Sequence, residues 1–171
     1  MKNYCLGICL CLSFSAISQD LSETDFDFWV GTWKVSWTEG EGKAGAGINV
    51  IEKILDGKVL QENFQIQEGQ NTGFKGKSMS VFNPNTKTWK QAWVDNQGGY
   101  FDFTGKIEGN KKMFQTAPRT LPDGSIRIQR MVFYDILSDK FTWDWELSND
   151  GGDTWNLQWR INYTRIAQSS K

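Results

Sequence analysis

Three polar side chains interrupt faces that are otherwise apolar: Glu62 between Leu60 and Phe64, Gln91 between Trp89 and Trp93, and Arg130 between Ile128 and Val132. Residues two apart on a strand share a face, so each polar group points where its apolar neighbours point. A charge on such a stripe calls for a partner, because leaving it unpaired costs several kcal/mol. Glu62 with Arg130 is the expected pair, and Gln91 with Asp95, in phase on one strand, extends the network. Two readings stand side by side: a structural ion pair, or a polar anchor for the head group of a ligand. Under an enzymatic reading Glu62 or Asp95 is the general base, its pKa raised by desolvation, and Arg130 or Tyr134 stabilises an anion. Residue type alone supports that reading, so no catalytic residue is assigned.

The chain contains no histidine. Ser-His-Asp and Cys-His nucleophile systems are excluded, as are His-ligated zinc, copper and haem sites. Any catalysis falls to carboxylates, Tyr, Lys, Arg or an oxygen-ligated metal. The segment 148–155, Ser-Asn-Asp-Gly-Gly-Asp-Thr-Trp, matches the Asp-box pattern that sialidase propellers repeat, but a propeller needs several copies and this chain has one. The structural expectation is that Asp150 accepts backbone N–H groups in a hairpin turn while Trp155 folds into the core. Asp150 and Asp153 could hold a calcium, but the turn does not require one, and no metal site is expected.

Nine tryptophans need an account. Phe141, Trp143, Trp145 and Leu147 share one face of a strand, and Trp155, Leu157, Trp159, Ile161 and Tyr163 share a face of the next. Either they fill a barrel interior and pack its ends, or some, Trp93 and Trp145 among them, line a lumen whose rings hold a flat apolar ligand or stack on sugars.

Period-two alternation and turn chemistry place about ten strands along the chain. They cover 31–38, 48–55, 58–67, 74–82, 88–95, 100–108, 111–116, 125–136, 139–147 and 155–165. Ser22-Glu23-Thr24-Asp25 caps one short helical turn running to Trp29, with the acidic residue where a capping box needs it. Residues 40–47 read as a flexible loop, and Asp56-Gly57 as a two-residue hairpin. Pro118 and Pro122-Asp123-Gly124 bracket an irregular connection, and no long helix or repeat is apparent. One all-β domain follows: an antiparallel up-and-down barrel, closed because closure removes exposed edges, with a two-sheet sandwich as the alternative.

Residues 1–18 read as a signal peptide: Lys2 gives the positive start, 5–17 the apolar stretch, and Ala16-Ile17-Ser18 the small-x-small cleavage site. The barrel domain is then 19–166 and a polar tail 167–171. All three cysteines, Cys5, Cys9 and Cys11, fall within the leader, so the mature chain carries no disulfide, and its expected location is secreted or periplasmic. Without Lys2, 18 basic residues stand against 20 acidic ones with no like-charge run, which argues against nucleic acid or an anionic membrane as partner. No later segment is apolar enough to insert in a membrane.

The opening Phe26-Asp27-Phe28, followed by Gly31-Thr32-Trp33, resembles that of lipocalins and their relatives in the wider calycin group. The resemblance implies that Trp33 sits at the closed end of the barrel with a basic residue from the last strand over it. Arg165, in phase with Trp159, Ile161 and Tyr163, is the candidate for a cation–π contact. Ile54-Leu55-Asp56-Gly57, Leu60-Gln61-Glu62-Asn63, the segment 91–99 and Asp150-Gly151-Gly152 resemble a bacterial family of extracytoplasmic lipocalin-like proteins, which implies a fold and no activity. A more distant resemblance links the Gly-Thr-Trp opening to haem-binding nitrobindin barrels. Those depend on an axial His, so haem is not carried over and no cofactor is expected.

The leading expectation is a barrel that binds a small, largely apolar molecule in its lumen, with Glu62, Gln91, Trp93, Asp95, Arg130, Tyr134 and Trp145 at the ligand and Gly31, Trp33, Arg165, Asp150 and Trp155 in structural roles. The alternatives are a cofactor-independent isomerase or hydratase using lumen carboxylates, and a structural or interaction barrel with no ligand.

Overall fold

The structure, a computed structural model, describes residues 21–167; the expected leader with its three cysteines, and the tail from residue 168, lie outside the described residues. Eleven strands follow one another: β1 (Gly31–Thr38), β2 (Ala44–Ile54), β3 (Val59–Glu68), β4 (Lys75–Asn83), β5 (Thr88–Asp95), β6 (Tyr100–Glu108), β7 (Lys111–Thr116), β8 (Arg119–Thr120), β9 (Ile126–Tyr134), β10 (Lys140–Ser148) and β11 (Asn156–Arg165). All but β8 form one antiparallel sheet in up-and-down order, in which β7 pairs β9, β9 pairs β10, and β11 returns to pair β1. The sheet is therefore a closed ten-stranded barrel. Closure leaves no long edge with unpaired N–H and C=O groups; β8 merely flanks β9 in the connection bracketed by the prolines.

Glycines account for the main difference from the sequence reading. Part of the 40–47 stretch is strand, since β2 starts at Ala44, with a Gly40–Gly42 3-10 turn before it. Gly45 and Gly47 lie buried on the inner face, and a side chain at Gly45 would occupy the space of the Trp37 indole. Gly45 makes room for a ring, and Gly47 for the close approach of the β3 backbone at Gln65. The β2–β3 connection also spans four residues, 55–58, because Ile54 pairs Val59 and both Leu55 and Asp56 take positive φ beside Gly57.

The closed end is an aromatic plug. The N-terminal turn is a 3-10 segment, Asp27–Trp29, preceded by a bend in which the Ser22 backbone N–H donates to the Asp25 carboxylate at 2.6 Å. It drops Phe26 and Trp29 into the barrel, where Phe26 stacks on Phe114 at 4.4 Å and Trp29 meets Phe133 edge-on at 5.2 Å. Trp33 is fully buried, its Nε1 donates to the Trp29 carbonyl at 2.8 Å, and Phe141 packs on it at 4.8 Å. Register places Arg165 directly opposite Trp33, and its guanidinium lies 4.0 Å from the ring. The same guanidinium donates to the carbonyls of Phe28, Val30 and Ser138, tying the turn, the barrel end and the β9–β10 connection together. Gly31 is the required residue beneath it: φ is +136°, and a Cβ there would collide with the guanidinium. Trp89 completes the plug by donating from Nε1 to the Ser22 carbonyl at 2.8 Å.

Candidate functional site

Strand direction sets which end stays open. β1, β3, β5, β7 and β10 finish at the end away from the plug, where their connections to the next strand gather. Below this rim is a cavity of about 180 Å³. Its buried floor is formed by Glu62, Phe64, Phe103, Met131, Ile161 and Tyr163. Its walls, Phe74, Trp93, Phe101, Trp143, Trp145 and Trp159, are half-buried and reach solvent at the mouth, where Asp95 also lies.

Each wall ring has a sequence reason to be there. Alternation brings Trp143 and Trp145 inward with Phe141, and their rings run parallel, 7° apart in plane at 6.4 Å. Trp93 sits on β5 opposite Ser78, and Gly76 leaves the space its ring fills. The inner face of β4 is small and polar, Gly76, Ser78 and Ser80, while Met79 and Val81 point out to solvent. Small side chains on one wall open the volume that large rings opposite it enclose.

The floor is polar at one point. Glu62 is 4% exposed; its Oε1 accepts from Asn49 Nδ2 at 2.7 Å and its Oε2 from the Ser78 hydroxyl at 2.6 Å. Asn49 Nδ2 also donates to the Tyr163 hydroxyl at 3.1 Å. Burial pushes Glu62 up to about 7, a rise that the Ser78 and Asn49 hydrogen bonds only partly oppose. Burial likewise pushes the Tyr163 phenol up, with the neighbouring Glu62 charge adding to it, so Tyr163 stays neutral. Gln91, also buried, donates to Ser80 at 2.9 Å. Among the described residues, Asn49 Oδ1 and Gln91 Oε1 receive no hydrogen bond.

The expected Glu62–Arg130 pair does not form. Arg130 alternates with Met131, and Met131 is the residue of the two that lines the cavity, so Arg130 stands on the outer wall. There it donates to Glu146 at 2.6 Å and lies 3.6 Å over the Trp155 ring. Tyr134 is outside for the same reason, donating to Asp144 at 3.2 Å, and Asp144 accepts from the Arg160 Nε and Nη2 at 2.8 and 2.7 Å. The apolar residues flanking Arg130 misled because Ile128 and Val132 are buried on an outer face, beneath these side chains. Trp155 is corrected likewise: a register shift at Trp145/Glu146 breaks the alternation on β11, so Trp155 and Leu157 leave the face that Trp159, Ile161 and Tyr163 share.

Gln91 and Asp95 do not touch. Asp95 closes the β5–β6 turn, accepting from Gln97 and Gly99 N–H groups at 2.9 and 2.8 Å and from Trp93 Nε1 at 3.3 Å. Partial burial works against its ionisation, but these donors outweigh it and hold Asp95 below the usual carboxylate range. Asp150 accepts from the Thr154 N–H and the Ser148 hydroxyl at the β10–β11 turn, and those bonds hold it low as well. No group of carboxylates within the described residues is arranged to hold a metal.

Among the polar residues of the site, Asn49, Ser78 and Tyr163 were missed by sequence reasoning, and among the apolar ones Phe74, Phe101, Phe103 and Met131 were never singled out. Tyr163 was legible as inward by phase with Ile161. Asn49 and Ser78 were not, since their apolar neighbours Ile48, Val50 and Met79 face outward.

This geometry defines a closed, ten-stranded antiparallel up-and-down β-barrel, consistent with a lipocalin-like fold, plugged at one end and cupped at the other. Neither a known family model nor a curated protein matches the chain, so function is read from the site. Among the described residues no helix is long and apolar enough to cross a membrane.

Because Arg130 is outside the lumen, Arg130→Ala is expected to lower stability by about 1–2 kcal/mol through the lost Glu146 and Trp155 contacts while leaving the Glu62 titration unchanged. Chemical denaturation and the carboxyl 13C shift of the same variant check both halves.

Proposed function

We propose that this protein binds one small, largely apolar molecule in the barrel lumen and works outside the cytoplasm, secreted or periplasmic, as an extracytoplasmic lipocalin-like barrel. The observation that carries the binding reading is the cavity itself. A barrel with a purely structural role packs its interior to the density of a crystal, whereas this one holds about 180 Å³ between half-buried rings and a buried carboxyl. Aromatic walls with a single polar anchor are the usual chemistry of a small-molecule pocket. The leader-like pattern of residues 1–18 supports the location.

A general-base reading also draws on Glu62, whose carboxyl near neutrality suits proton transfer. It is the weaker one. Both groups expected to stabilise an anion, Arg130 and Tyr134, lie on the outer wall, and the Tyr163 hydroxyl beside Glu62 is already engaged by Asn49.

Native mass spectrometry of protein purified from its source tests the binding reading. The expected spectrum shows an added small-molecule mass, lost in Trp93→Ala with only a modest fall in melting temperature. A bare chain mass throughout, or a mass retained by the variant, would favour a barrel without a lumen ligand.

A further inference from the structure

We propose that the ligand is a protonated organic amine, its ammonium group on Glu62 and its ring-bearing apolar remainder among the wall tryptophans. The inference rests on the lumen-binding reading and gives its ligand a chemical class.

Charge comes first. Of the described residues lining the cavity only Glu62 and Asp95 are ionic; both are carboxylates, and none of that lining is Lys or Arg. The cation that the sequence placed in the lumen, Arg130, is held outside by Glu146 and Trp155. A ligand bearing a carboxylate or phosphate would meet like charge with no counter-charge, in a setting where repulsion is poorly screened. An ammonium meets the reverse.

Hydrogen-bond polarity agrees. At the cavity itself the Glu62 carboxylate accepts, among the described residues, from Asn49 and Ser78 alone and has lone pairs to spare; the unpaired Asn49 and Gln91 oxygens do not line the space and are not counted. The deficit is of donors, and an ammonium supplies up to three without adding an acceptor. A neutral apolar ligand would leave the Glu62 charge without a counter-ion.

The walls complete the fit. Trp93, Trp143, Trp145 and Trp159 surround the space above Glu62, and indole faces attract cations more strongly than other aromatic faces do. A dry cavity of about 150 Å³ is enough for benzene. The space here, about 180 Å³, therefore suits a one-ring amine better than a long acyl chain.

The amine competes with a proton for Glu62, whose burial places it near 7. The groups packed on the carboxyl are Asn49 from β2, Ser78 from β4 and Tyr163 from β11, none of which changes charge in that range. Asp95 at the rim is held low by its turn and stays ionised.

Isothermal titration with 2-phenylethylamine, 2-phenylethanol and phenylacetate, matched in size and differing in charge, tests the proposal. At pH 8 the amine is expected to bind at least about tenfold more tightly than the alcohol, with phenylacetate weakest. In the wild type, amine affinity falls as pH drops below 7, approaching about tenfold per pH unit. In Glu62→Gln the amine binds no better than the alcohol and that pH dependence is gone. An alcohol or phenylacetate that binds as tightly as the amine overturns the amine assignment and leaves lumen binding standing. A pH-independent amine affinity in the wild type overturns it too, without relying on the variant. Failure of all three probes also overturns it, and the co-purification measurement then decides the lumen reading by itself.

Discussion

Trp33→Ala is expected to lower unfolding stability by about 3–5 kcal/mol, among the largest losses any single substitution in this barrel produces. The indole is fully buried, so its removal exchanges a large apolar area and its packing for a cavity that the strands around it cannot fill. Two further losses compound the first. The Trp29 carbonyl loses the Nε1 donor, and the Arg165 guanidinium, 4.0 Å from the ring, is left over a void while still fixed to three backbone carbonyls. Urea unfolding followed by far-UV circular dichroism measures the change. A loss below about 1 kcal/mol would show that the plug is not what holds the barrel shut.

Glu62→Gln is expected to raise stability at pH 8 by on the order of 3 kcal/mol and to change it little at pH 4. The sign follows from proton counting. In the unfolded chain the carboxyl titrates near its ordinary 4.5, and in the native barrel near 7. Below 4.5 both states hold the proton, and burial of a neutral acid costs little. Between those values the native state keeps a proton that the unfolded state has lost, so wild-type stability declines as pH rises. Above about 7 both states are ionised, and the whole cost of a buried anion remains. Gln keeps the shape: it accepts from Asn49 and donates to Ser78 with no charge to bury. Asp95 and Asp150 shift the other way and lend stability that acid removes, but variant and wild type share that contribution, so the difference curve isolates Glu62. A gain that does not change with pH would contradict the account.

A gain of that size in the variant would mean that folding alone favours an amide over the carboxylate at this position. That is why the pocket, more than the plug, carries the functional argument.

The barrel was legible because it depends on repetition. Successive alternating strands with short turns leave closure as the simple way to remove edges, and the pairing of Trp33 with Arg165 follows once the first and last strands meet. The contents of the pocket were legible only in part. Glu62, Gln91, Trp93 and Trp145 announce themselves as polar groups among rings, or as rings in phase. Arg130 announced itself identically and lies on the opposite side of the wall, because Ile128 and Val132 are buried beneath an outer layer that period-two reasoning does not foresee. β4 inverts the usual signal outright, sending Met79 and Val81 to solvent so that Gly76 and Ser78 can give space to Trp93 and a hydroxyl to Glu62. A single-residue shift near Trp145 moves Trp155 off the inner face, and nothing local in the sequence marks it.

The binding reading depends on an ionisable carboxyl buried at the base of an aromatic cup. The most direct test is the 13C chemical shift of the Glu62 carboxyl followed through a pH titration of the ligand-free protein, assigned against Glu62→Gln. A midpoint near 7 is expected. A midpoint in the ordinary range, about 4 to 5, would show a solvated side chain, and the anchor together with the ligand chemistry built on it would have to be given up.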